Sequence, residues 1–202
     1  MRFLLQVIAG LLLSEYVTKS IVIWHQSRAW VNTLVLLGAG MFLFRLFVDN
    51  LLFYEASDRT IERTWEYVTR LFLLALDLAS YVVCYDIVFR LGRLAARTEY
   101  MYTTTAVRQV MCAIALVEVF HFFWSLGAMA ADKTWGNGDS TERFQLWMLC
   151  SGGTAIGMSV VAVYAVAGQA PLTAALWFIA ASSVSLFAYL CFMQAQYRKV
   201  VR

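Results

Sequence analysis

The chain has 202 residues, 61% of them hydrophobic, with a single proline and a net charge of +3. Its mean hydropathy of +0.67 is far above that of a soluble domain, so the whole length reads as one integral membrane domain with no room for a separate soluble one. The small positive charge gives no indication of nucleic acid as a partner.

Six apolar spans are expected, at about 3–24, 31–53, 67–92, 107–130, 145–167 and 172–195, each near the roughly 20 residues that a helix needs to cross a bilayer. Met1 to Leu13 reads as the start of the first span rather than as a cleaved signal, because Glu15 and Lys19 follow with no A-x-A site before them. The connections are short. His25 to Ala29 and Gln169 to Pro171 read as tight turns, Tyr54 to Glu66 is polar, Arg93 to Val107 holds a Thr-Thr-Thr run, and Ala131 to Arg143 contains the turn signal GNGD. The fold class is therefore all-α: a polytopic membrane bundle of about six helices within a single domain, 1–202.

The spans fall into two kinds. The first four, within 1–130, carry ionisable groups inside their apolar runs, whereas the hairpin of 145–196 carries none. That hairpin offers small residues instead, including Gly153 and Gly157 in a GxxxG spacing. This spacing lets helices approach closely and makes these residues candidates for self-association.

The third span organises the rest. Glu66 to Arg97 is apolar enough to cross, yet it holds Arg70, Asp77 and Asp86 and ends on Arg90, Arg93 and Arg97. Arg70 and Asp77, two turns apart, share one face, and Asp86 with the later arginines gathers on the other. A charge at the bilayer centre costs on the order of 2.5–3.5 kcal/mol even on lenient insertion scales. The rest of the protein must therefore supply partners or water on both faces.

The other spans supply them in pairs. Glu15 and Lys19, Arg45 and Asp49, and Asp86 and Arg90 are each four residues apart, and Glu118 and His121 are three apart. If spans two and three are neighbours, Arg45, Asp49, Arg70 and Asp77 form one network. Glu15, Lys19, Asp86 and Arg90 then form a second at the other depth, with Glu118 and His121 between the two. Ionisable groups inside a membrane point by default to a conduction or proton path. Asp77, Asp86, Glu118 and His121 are the path candidates, and Glu15, Lys19, Arg45, Asp49, Arg70 and Arg90 their counter-ions. A histidine beside a carboxylate titrates near neutral pH and can pass a proton. The bland alternative is that these charges neutralise one another and fix helix register.

The segment Arg90 to Arg108 combines four arginines with Tyr100 and Tyr102. Arg93, Arg97 and Arg108 form a candidate vestibule for an anionic regulator. No catalytic residue is assigned: GxSxG, HExxH and P-loop patterns are all missing from the sequence. No cofactor or metal site is expected either, since Cys84, Cys112, Cys150 and Cys191 form no CxxC pair and sit in apolar runs.

Four charged helices followed by an uncharged hairpin loosely resemble a voltage-gated cation channel subunit. Here, however, Arg90, Arg93 and Arg97 lie at the end of the third span, and Gln169 to Pro171 is too short to re-enter as a filter. Neither voltage sensing nor a selectivity filter carries over. In size and build the chain also resembles small multi-span effectors of bacterial antiviral defence operons. That resemblance implies oligomerisation and permeabilisation of the inner membrane. Lys and Arg number eight on the side holding both termini and four on the other, which places both ends in the cytoplasm of a bacterial inner membrane. The expected function is a homo-oligomeric pore or ion channel. A proton-coupled solute carrier using Glu118 and His121 and a non-conducting structural subunit are the alternatives.

Overall fold

The computed structural model describes residues 2–26, 29–56, 64–95, 102–135 and 141–200, with side chains described in 6–26, 29–48, 67–92, 102–131, 142 and 144–192. Among these residues every regular element is a helix: α1 (Arg2–Gln26), α2 (Trp30–Ala56), α3 (Thr64–Ala95), α4 (Thr104–Trp135), α5 (Thr141–Val160, continued by a π-helical turn over Val161–Ala165) and α6 (Pro171–Val200). All six are long and apolar enough to cross a membrane, and each contains one of the expected spans or nearly all of it. The protein is thus an all-helical, integral membrane bundle by length and composition.

Local chemistry sets the helix ends. The Thr-Thr-Thr run starts α4: the Thr103 hydroxyl accepts the Ala106 N–H at 3.2 Å, as an N-cap does. Pro171 opens α6, where a missing N–H costs nothing. The α5–α6 turn is longer than the sequence suggests. The Val166 N–H reaches back to the Val161 carbonyl at 3.0 Å, and Gly168 turns the chain at φ 72° before Pro171 enters the helix.

Helix α4 is the axis of the bundle. It packs on α3 and α5 and also meets α6 and α2, while α1 rests on α2 and α3 at the periphery. The core is apolar, filled by Val35, Ala39, Cys84, Ile87, Met111, Ile114, Ala174 and Phe178 among others. Close approach is built in where α2 meets α6: a Cβ on Gly38 would stand 2.8 Å from the Phe178 ring. Outward faces carry large apolar residues such as Val82, Phe89, Ile156, Val184 and Phe187, as lipid requires.

Helix α2 packs chiefly on α6 and α1, and an apolar cleft lined by Ala9, Leu12, Leu43, Leu46, Phe47 and Tyr81 lies where α1, α2 and α3 converge. The expected Arg45–Asp49–Arg70–Asp77 network turns on Asp49, whose side chain lies outside the described residues.

Candidate functional site: a buried ion pair shared by four helices

Arg45 points from α2 into the centre of the bundle. Its Nη1 stands 3.0 Å from Oε1 of Glu118 on α4, and its Nη2 donates to Oε2 at 3.2 Å. The guanidinium therefore engages both carboxylate oxygens, the geometry in which Arg is strongest. Nη1 also donates to the Thr154 hydroxyl of α5 at 3.1 Å and to the Ser185 hydroxyl of α6 at 2.7 Å. Those two hydroxyls lie 2.9 Å apart and share a hydrogen bond. The Tyr189 ring of α6 sits under the guanidinium at 5.2 Å, within cation–π range. Four helices thus meet on one side chain.

Burial decides what this centre can be. The Arg45 and Glu118 side chains are 3% and 1% exposed. Glu118 and Thr154 stand near the middle of their apolar stretches, Thr104–Ala131 and Phe144–Ala165, so the pair lies deep in the membrane section. Nδ1 of His121, one turn along α4, is 4.0 Å from Oε2 of Glu118. That places a titratable ring beside the carboxylate edge that Arg45 Nη2 engages. The arrangement can store charge in a dry interior, fix the register of four helices, and, on protonation or separation, release both.

The other candidate charges are placed differently. Asp77 is buried on the inner face of α3, in line with Ser80, Tyr81, Cys84 and Ile87, whereas Arg70 is half-buried one helical repeat earlier. Glu15 and Lys19 pair at 3.3 Å along α1, and Asp86 and Arg90 at 2.6 Å along α3, with Arg90 also donating to Gln109 at 3.3 Å. The Lys19 stem lies against α3, where a Cβ on Gly92 would meet it at 2.9 Å. Each pair is thus closed within its own helix, with Lys19 leaning on α3 and Arg90 reaching α4. The Asp49 and Arg93 side chains and all of Arg97 lie outside the described residues. Arg108 is exposed at the start of α4.

Tyr102 corrects the reading of the arginine-rich segment. It is 2% exposed, donates its hydroxyl to the Leu91 carbonyl at 3.2 Å, and gives its backbone N–H to Asn32 Oδ1 at 3.0 Å. Burial pushes its phenol above the ordinary range, which keeps the donor proton in place. It is a corner post joining α2, α3 and α4, while Thr104 donates to the Gln169 carbonyl at 2.8 Å and ties on the α5–α6 turn. The connections α1–α2, α3–α4 and α5–α6 thus share one end of the bundle, as alternating spans require.

Sequence reasoning missed Thr154, Ser185 and Tyr189, because single polar residues among small ones look like packing. The available signal was Glu118 itself, the one acid in excess of the intramembrane bases. Gly153 and Gly157 face outward, with nothing within 4 Å of where their Cβ atoms would sit. No protein-family model, curated protein or solved structure matches this chain.

Proposed function

We propose that the protein is a homo-oligomeric, ion-conducting membrane protein, and that the Arg45–Glu118 pair is the latch of its closed arrangement. The observation that carries this reading is the convergence of α2, α4, α5 and α6 on one buried, bidentate ion pair near mid-membrane. Parting the pair frees two charges and four helices at once. Isolated charges in hydrocarbon recruit water, and water at this depth opens a path. Asp77, buried on α3, and Asp86, half-exposed near its end, continue the path, and Arg93, Arg97 and Arg108 receive an anionic regulator at its mouth. Set in a bacterial inner membrane with both termini cytoplasmic, such a pore depolarises the cell, in keeping with a defence effector.

A second reading rests on His121. Its 4.0 Å approach to Glu118 suits a proton-coupled carrier, in which Glu118 alternates between Arg45 and a proton.

Ion flux through the purified protein in liposomes tests both. Wild type is compared with Asp77→Asn, Glu118→Gln and Arg93→Ala/Arg97→Ala, with Arg45→Met/Glu118→Met as the folded control that removes both charges. Flux whose gating or selectivity changes in these variants is the expected result. Proton movement that requires a solute and vanishes in Glu118→Gln favours the carrier. Wild type impermeable under every condition overturns conduction and leaves the pair as a structural staple.

A further inference from the structure

The chemistry of the buried pair is lopsided. Glu118 can lose its charge to a proton, whereas a guanidinium keeps its own at any pH a cell meets. Whatever parts the two therefore leaves a fixed positive charge near mid-membrane, and hydroxyls surround it. Those of Thr154 and Ser185 both accept from Arg45 Nη1, at 3.1 and 2.7 Å. They spend one O–H on their mutual bond at 2.9 Å, and the second has no acceptor among the described residues. One turn before Ser185, on the same inward face of α6, Ser182 is 3% exposed, and its hydroxyl has no hydrogen-bond partner among those residues. A buried donor left without an acceptor costs stability, so such a set points to a guest that accepts. The other titratable groups described around the pair are His121 of α4, Cys84 of α3, which feels the Glu118 charge, and Tyr189 of α6, and none is a carboxylate. Asp77, also on the inner face of α3, lies seven residues from Cys84, or about 10 Å at the helical rise. The charge of the site is therefore set by Arg45.

From this we infer that Arg45, with the hydroxyls of Thr154, Ser182 and Ser185, is a binding site for a small monovalent anion such as chloride, and that the Glu118 carboxylate holds the anion's place in this structure. The inference rests on the conducting reading above and names the ion. One fixed positive charge matches one negative charge, and a second negative charge would go unpaired at this depth. Size is set by what the carboxylate fills. Its two oxygens meet Nη1 and Nη2 at 3.0 and 3.2 Å, so a halide, nitrate or formate fits where a phosphate or a larger organic anion does not. A cation gains nothing here, because Arg45 repels it and basic side chains lining a path select anions.

Unfolding of the purified chain in detergent tests the site without any flux. Wild type, Glu118→Ala and Arg45→Met/Glu118→Met are each melted in sodium chloride and in sodium gluconate at equal ionic strength, so that screening is the same and only the size of the anion differs. Chloride should raise the melting temperature of Glu118→Ala by several degrees, saturably, and shift the other two by less than about 1 °C. Only Glu118→Ala has both the charge and the room, since the double variant lacks the charge and in wild type the carboxylate fills the place. Adding Ser182→Ala to Glu118→Ala should raise the half-saturating chloride concentration several-fold. No chloride effect on Glu118→Ala, or an equal effect on Arg45→Met/Glu118→Met, overturns the site. Liposome flux decides the matter should Glu118→Ala not fold: wild type and Glu118→Gln should pass chloride several-fold more readily than sodium. Cation selectivity in either overturns the site and leaves conduction standing. Chloride-dependent stability with no flux from any form does the reverse.

Discussion

Two ion pairs of similar chemistry sit at comparable membrane depth, in opposite surroundings. Arg45–Glu118 is sealed by four helices and supplemented by two hydroxyls and an aromatic ring. Glu15–Lys19 lies along one peripheral helix with nearly half of each side chain uncovered. The difference teaches that a charge pair in a membrane protein can be sealed between helices or closed along a single helix at the surface. The first kind couples to the fold, and the second hardly does. A buried pair contributes little net stability when whole, because desolvation offsets attraction, but it is severely destabilising when halved.

The largest effect expected is therefore at Glu118. Glu118→Leu leaves the Arg45 guanidinium buried without its carboxylate and should lower stability by about 3–5 kcal/mol, read as an earlier unfolding transition in detergent. Arg45→Met/Glu118→Met should recover most of that loss. A double variant as damaged as the single one would mean the pair is not the coupling element. Next comes Thr154→Val, which removes one hydroxyl acceptor of the charged group and should cost about 1.5–3 kcal/mol in the same measurement. On the peripheral side, Tyr16 donates to the Leu36 carbonyl at 2.6 Å and anchors α1 to α2. Tyr16→Phe should cost about 0.5–1.5 kcal/mol and should loosen α1 first, seen as faster amide exchange there than in α4. Smallest of all, Glu15→Gln/Lys19→Gln should change unfolding of the detergent monomer by less than about 1 kcal/mol, the usual worth of an exposed pair. A large loss of monomer stability from it would erase the contrast between the two pairs.

What could be read ahead of the structure follows the range of each interaction. Glu15–Lys19 and Asp86–Arg90 form as their i, i+4 spacing implies, because helix geometry alone brings such residues together. Arg45 has the same spacing to Asp49, whose side chain lies outside the described residues, and it also reaches Glu118, 73 positions along the chain. Nothing local encodes that long-range contact. It follows from α2 packing on α6 with α4 behind, set partly by the close fit of Gly38 against Phe178. Tyr102 reads from sequence as a member of an arginine-rich vestibule, but its hydroxyl and amide are claimed by Leu91 and Asn32 on two other helices.

By itself, the sequence determined six helices and their approximate limits, since 20-residue apolar runs leave the backbone no other way to satisfy its hydrogen bonds in lipid. It also determined which residues are ionisable within them, and the pairs that one helical turn can make. Tertiary structure alone decided which charge is sealed and which is left at the surface. Six apolar helices of similar length can pack in many orders, and the order turns on side-chain fit and long-range polar contacts that no periodicity records.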